Sequence, residues 1–285
     1  MCAKALRIGQ ITYTNTLPVY YYFDQSRFED RIDFVKQVPA QLNAAMARGE
    51  IDVGPISSFS YAEHHEHYLL LPGLSVSAKG KVGSIFLFSK RPISQLQGAT
   101  IALTNTSATS VNLLKIIVQK FYGLTVRYKM MEPVLDQMMS TADAALLIGD
   151  EALVAFQRET RYHVYDLGEL WHQHTGCSMT FAVWAVRKAA IKQHAELLRE
   201  VYAAFAASKE RSLRDLGVIA RYAQNMFGGA ESFWIDYFHG LRYDFSDEQR
   251  NGLETYYTCA AELGLLPAPV QVHQWEDAVR QETLR

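Results

Sequence analysis

The sequence predicts an α/β protein with largely parallel sheets covered by helices, and three observations carry that prediction. Short β-type runs alternate with amphipathic runs as far as Lys188. From there the pattern is helical to the end. Three of the β-type runs break into a cluster of Ser, Thr and Asn before a helix-type run. These are 7–11 into Tyr13-Thr14-Asn15-Thr16, 51–54 into Ser57-Ser58, and 100–103 into Thr104-Asn105-Thr106-Ser107-Ala108-Thr109-Ser110. Alternating β and α runs argue for parallel sheets with helices on their faces. Such sheets bind ligands beyond the carboxyl ends of their strands, where all three clusters fall. The start of a helix leaves about four backbone N–H groups unpartnered at the positive end of its dipole, a natural seat for an anion. Three such seats suggest a cleft for a small molecule with more than one carboxylate or phosphate.

In chain order, the first block offers strands at 5–11, 32–37, 51–54, 68–71 and 83–89, with helices at 16–23 and 39–48. Pro39 suits a first helical turn and Gly49 the position after the last, while Leu42, Ala45 and Met46 keep the spacing of a buried face. After a turn at Lys90-Arg91-Pro92, strands are expected at 99–103, 125–129, 143–148 and 163–166. A helix over 109–121 presents Val111, Leu114, Ile117 and Val118 on one side. The apolar run 179–186 reads as a buried strand crossing back towards the first block. Helices follow at 189–211, 214–226, 231–238 and 246–263, the last opened by Ser246 and Gln249 in a capping box. There is no repeat of solenoid length and no low-complexity linker.

The 285 residues leave room for one large domain or two lobes, and 49% apolar with 20% charged residues is a soluble, globular profile. Lys plus Arg (28) nearly balances Asp plus Glu (30), which argues against a nucleic-acid partner. No run approaches ~18 consecutive apolar residues, so no membrane span is expected. The first residues lack the apolar stretch of a secretory signal. Cys2, Cys177 and Cys259 never form a C-x-x-C pair and read as reduced thiols of a cytoplasmic protein. Nothing in the composition indicates an oligomeric state.

Asn15, Thr16 and Pro18 fit a helix cap and a ligand contact equally well, because the two use the same geometry. The rings from Tyr20 to Phe23 are expected to pack. Ser57 and Ser58 share that ambiguity. In the run holding Ser107, Thr109 and Ser110 the hydroxyl density exceeds what one cap requires, which favours binding. Neither cluster has the spacing or terminal Lys of a P-loop. His64, His65 and His67 form the densest metal-like group, with His64 and His67 on one face of a helix. Zinc needs three or four ligands and a supporting shell, and Glu63 and Glu66 make this an ordinary solvated face, so no metal is expected. His172 and His174 flank an expected turn. Asp150 and Glu151 read as first-turn acids favoured by the dipole, with a general acid or base role secondary. No G-x-S-x-G, G-x-G-x-x-G or H-E-x-x-H motif is present. An enzyme built this way would work by positioning and electrostatics, without covalent nucleophile, metal or cofactor.

Arg7-Ile8-Gly9 with Tyr13-Thr14-Asn15-Thr16-Leu17-Pro18 resembles the start of the chorismate dehydratase family of the futalosine route to menaquinone. The resemblance continues through 49–58, 71–75, Gly80-Lys81-Val82-Gly83-Ser84, 107–111, 148–153, 166–168, Trp171, Thr175-Gly176 and 181–184, and reaches about residue 266. It implies a two-lobed, periplasmic-binding-protein-like fold of type II with a cleft between lobes. Lobe 1 would hold 1–89 and 184–285 and lobe 2 would hold 90–183, joined by crossing strands near 83–89 and 179–187. The implied reaction dehydrates chorismate, with Asn15 and Ser84 at the enolpyruvyl carboxylate and reacting edge. Ser57, Ser58, Ser107, Thr109 and Ser110 would be binding donors. A sister family that makes 1,4-dihydroxy-6-naphthoate carries a proton-accepting His where this chain has Gly149. Cys177-Ser178 departs from the Leu-Pro-like pair expected there. A non-catalytic solute-binding or sensor domain is the alternative from another class.

Overall fold

A computed structural model describes residues 5–158 and 161–278; Cys2 lies outside them. Two five-stranded sheets organise the chain. The first takes β1 (Leu6–Ile11), β2 (Ile32–Gln37), β3 (Val53–Ser57), β4 (Tyr68–Ala78) and β10 (Met179–Arg187), in the order β2-β1-β3-β10-β4. The second takes β5 (Ile85–Ser89), β6 (Thr100–Thr104), β7 (Arg127–Met131), β8 (Ala144–Ile148) and β9 (His163–Asp166), in the order β7-β6-β8-β5-β9. The two orders are the same. In each, the first three strands are parallel, and the strand next to a lobe crossing, β10 or β5, runs antiparallel between two neighbours.

Helices α1 (Leu17–Tyr20), α2 (Pro39–Ala47) and α3 (Ser58–His64) follow strands of the first sheet, and α4 (Ala108–Ile116), α5 (Leu135–Thr141), α6 (Gly149–Arg158) and α7 (Leu167–Thr175) those of the second. Then come α8 (Lys188–Arg214), α9 (Leu216–Phe227), α10 (Glu231–Gly240) and α11 (Asp247–Glu262). Strands β3, β5 and β8 are buried along their whole length, as covered sheets require. The capping box at Ser246 and Gln249 is present. No helix among the described residues is long and apolar enough to cross a membrane. Cys177 and Cys259 are free thiols.

Three expectations need correction. The lobe boundaries at 89/90 and 183/184 fall at a strand end and inside a strand: β5 pairs only within the second sheet and β10 only within the first. The chain therefore crosses between sheets at 79–84 and 176–178, because a ladder cannot be divided without orphaning its backbone groups. Strand β4 runs seven residues past the expected 68–71, carried by its pairing with β10 through Pro72-Gly73. His172 and His174 lie in the last turn of α7, which Gly176 closes at φ 70°, rather than beside a loop.

Helix α11 ties the two lobes together. Gly252 packs on Ser178 in the second crossing, where any Cβ would run into the Ser178 carbonyl. One turn on, Tyr256 donates to the Thr109 carbonyl in one lobe (3.1 Å) and Tyr257 to the Ser58 carbonyl in the other (2.6 Å).

Candidate active site

The carboxyl ends of β1, β3, β6 and β8 face one another across the seam between lobes. After β1 the chain makes a 3-10 turn over Thr14–Thr16 before the single turn of α1. That is too short for a helix-dipole seat, and Thr16 closes the turn by donating to the carbonyls of Ile11 and Tyr13, both at 3.1 Å. Its neighbours point elsewhere. Asn15 Oδ1 and Tyr13 Oη are buried and have no hydrogen-bond partner among the described residues. Buried polar atoms are nearly always paired, so Asn15 Oδ1 is open to a partner from outside the chain.

Thr14 reaches into the second lobe. Its hydroxyl and its amide both donate to Asp150 Oδ1, at 2.6 and 3.3 Å. Gly149 beside it adopts φ +63°, and a Cβ there would lie 2.9 Å from the Tyr13 ring. The Gly149 amide in turn donates to the Ser84 carbonyl at 2.8 Å. Residues 13–15, Ser84 and 149–150 thus form one contiguous group drawn from both lobes. Asp166 supports it from behind, capping α7 through Glu169 N–H while accepting the amides of Val82 and Gly83 at 3.1 and 2.7 Å.

At the second and third clusters the hydroxyls meet each other. The Ser57 amide donates to Asn43 Oδ1 (2.9 Å). Ser58 donates to the Thr180 carbonyl at 2.7 Å, and the Ser58 and Thr109 hydroxyls are 3.2 Å apart. Thr109 Oγ1 accepts the Phe59 amide at 3.0 Å. A hydroxyl has a single proton. With Ser58's spent on Thr180, Thr109's goes to Ser58, and neither is left for a carboxylate in this arrangement. Ser107 caps α4 through Ser110 N–H and donates to Ser110 Oγ (3.2 Å), so Ser110 keeps its own proton. Sequence reasoning missed this division, because the partners are far apart in the chain. It also missed Tyr13, Thr14 and Tyr237, whose hydroxyl donates to Ser84 Oγ at 3.0 Å. Among the described residues no group of three or more His, Cys, Asp or Glu is placed to hold a metal ion. His64 ends α3 and 65–67 turn into a 3-10 helix, with His65 Nδ1 at 2.9 Å from the Ala62 carbonyl.

Burial pushes the Asp150 carboxyl from its ordinary 3.8 up to about 6, with the Glu151 charge adding to the rise and the bonds from Thr14 opposing it. The folded protein therefore holds this proton more tightly than the unfolded chain, and stability falls as pH rises from 3.8 towards 6. Asp150→Asn keeps an acceptor for Thr14 and removes the charge. Its stability gain over the parent is expected to grow from nothing near pH 4 to about 1–3 kcal/mol above pH 7. Denaturant midpoints at several pH values check this, and a gain that does not vary with pH contradicts it.

Residues 6–262 match the menaquinone biosynthesis family. The chain belongs to that family. The chorismate dehydratase of Thermus thermophilus is 32% identical over 284 residues, which is 92% of this chain and 97% of that protein. The 1,4-dihydroxy-6-naphtoate synthase of the same organism is 25% identical over 187 residues, 65% of this chain and 67% of that one. Among solved structures, the periplasmic aliphatic sulphonate binding protein SsuA from Escherichia coli superposes with a TM-score of 0.67 at 16% identity, covering 94% of this chain and 90% of that one. The last likeness is one of fold. This member of the menaquinone biosynthesis family has the two-lobed, periplasmic-binding-protein-like architecture expected of it.

Proposed function

We propose that this chain is a cytoplasmic lyase that removes water from chorismate to give 3-[(1-carboxyvinyl)oxy]benzoate. The observation that carries the reading is the likeness to the Thermus chorismate dehydratase along 92% of this chain and 97% of that one. The buried, unpartnered Asn15 Oδ1, in the group of residues that Gly149 joins to Ser84, supports it.

In this reading the Asn15 amide and the Ser84 hydroxyl bond the enolpyruvyl carboxylate and the reacting edge. Ser57 and Ser110 offer donors to the ring carboxylate, Ser107 holds Ser110 in place by donating to it, and Ser58 with Thr109 holds the seam closed around it. The C3 proton passes to the substrate's own enolpyruvyl carboxylate and from it to the departing C4 hydroxyl, which leaves as water. Aromatisation drives the step, so the protein's part is to fix the conformer and stabilise developing charge. A bound dianion also pushes Asp150 further towards its neutral form, which then does not repel the substrate.

Gly149 disfavours the naphthoate synthase reading. A histidine there would need a left-handed backbone and the space occupied by the Tyr13 ring.

Purified protein incubated with chorismate is expected to convert many equivalents to the substituted benzoate, followed by chromatography of the product. A sensor domain would bind one equivalent and leave it intact, and that outcome would overturn the reading.

A further inference from the structure

Ser84 sits at the first crossing between lobes, and different parts of the molecule hold its two ends. Its carbonyl accepts the Gly149 amide, and Asp166 fixes the two preceding amides, so its backbone belongs to the second lobe. Its hydroxyl is held by Tyr237 of α10, which packs on α9 among the C-terminal helices and donates to Ser84 Oγ at 3.0 Å. A serine hydroxyl has one proton and two lone pairs. Once Tyr237 occupies a lone pair, the Ser84 proton cannot point back at the phenol and is directed to the remaining side. Without Tyr237 the rotor would be free to sample its staggered positions.

Tyr237 is suited to donate in one direction only. Burial, with the Asp150 and Asp166 charges adding, holds its phenol far above the ordinary value, while interactions with Ser84 and, more weakly, Thr14 oppose the rise, so it keeps its proton. Its ring is clamped by Trp234 edge-on at 6.0 Å and by Phe238 at 5.4 Å. Against it lies Gly83, where an added Cβ would come within 3.3 Å of the ring.

We propose that Tyr237 is a positioning residue: it fixes the direction in which Ser84 donates, and so joins the alignment of the Ser84 hydroxyl to the docking of the C-terminal helices on the second lobe. The inference rests on the reading of Ser84 as a contact to the reacting edge of chorismate. A purely structural tyrosine would lower stability without acting through Ser84.

The test is a kinetic cycle of the parent, Tyr237→Phe, Ser84→Ala and the double variant on chorismate. Tyr237→Phe is expected to lower kcat about tenfold with KM little changed, the signature of an interaction felt at the transition state. The double variant is expected to be no slower than Ser84→Ala alone. Full activity in Tyr237→Phe, or losses that multiply in the double variant, would overturn the proposal. Should the parent leave chorismate untouched, the functional reading falls, and crystals of the parent and of Tyr237→Phe decide this inference separately. A Ser84 hydroxyl that leaves its position in the variant supports it, and one that stays overturns it.

Discussion

Ser84→Ala is expected to lower kcat/KM on chorismate roughly 100- to 1,000-fold, the cost of removing one preorganised donor from an enclosed site. Ser84 is 2% exposed and its backbone is tied to Gly149, so the variant removes the donor without releasing the chain around it. Asn15→Ala is expected to lose a similar factor, because Asn15 Oδ1 has no partner among the described residues whose loss would otherwise explain the effect. Asn15→Asp should be no better. It keeps the shape but adds a negative charge near Asp150 and a dianionic substrate. Melting curves are expected to change little for Asn15→Ala, whereas Ser84→Ala also strands the buried Tyr237 hydroxyl and is expected to lose about 1–3 kcal/mol. Initial rates decide the matter: if both variants kept the parent kcat/KM, Asn15 and Ser84 would not be at the reacting edge.

Gly149→Ala is expected to be the most damaging single methyl group in the site. An L-residue at φ +63° carries a backbone cost of roughly 1–2 kcal/mol. The added Cβ would also sit 2.9 Å from Tyr13 Cδ2, so the ring must shift, and overpacking of this kind costs typically 1–3 kcal/mol more. Tyr13 is joined to Thr14, so the Thr14–Asp150 bond between lobes is disturbed with it. A loss of about 2–4 kcal/mol in stability and most of the activity is therefore expected. Adding Tyr13→Ala should return part of the stability by vacating the space, though not the activity. Denaturant midpoints of the single and double variants separate strain from clash. A Gly149→Ala protein as stable as its parent would contradict both arguments.

Much of the fold is legible locally. Each of the ten strands among the described residues matches a short β-type run, and the capping box at Ser246 and Gln249 is legible in full, because both depend on residues a few positions apart. The extension of β4 was not, since Pro72-Gly73 reads as a break until β10 supplies a partner. The sheet membership of β5 was hidden for the same reason: an apolar run does not say which neighbour it will pair with. In the site, the strand-to-helix clusters were found from their hydroxyl density. Asp150 reads locally as a first-turn acid, because its partner Thr14 lies 136 residues away and in the other lobe. Tyr237 carried no local signal at all, being one aromatic among several on a helix, 153 residues from the serine it holds.

By itself, the sequence determined the alternation of strands and helices, the near-neutral surface and the polar clusters at strand ends, all of which follow from side-chain chemistry within a turn or a strand. Only the tertiary structure decided which hydroxyls keep a proton for a ligand and which spend it on the opposite lobe. Donors and acceptors are paired by distance in space, and the pairs at Ser58–Thr109, Thr14–Asp150 and Ser84–Tyr237 exist only once the two sheets have closed on each other.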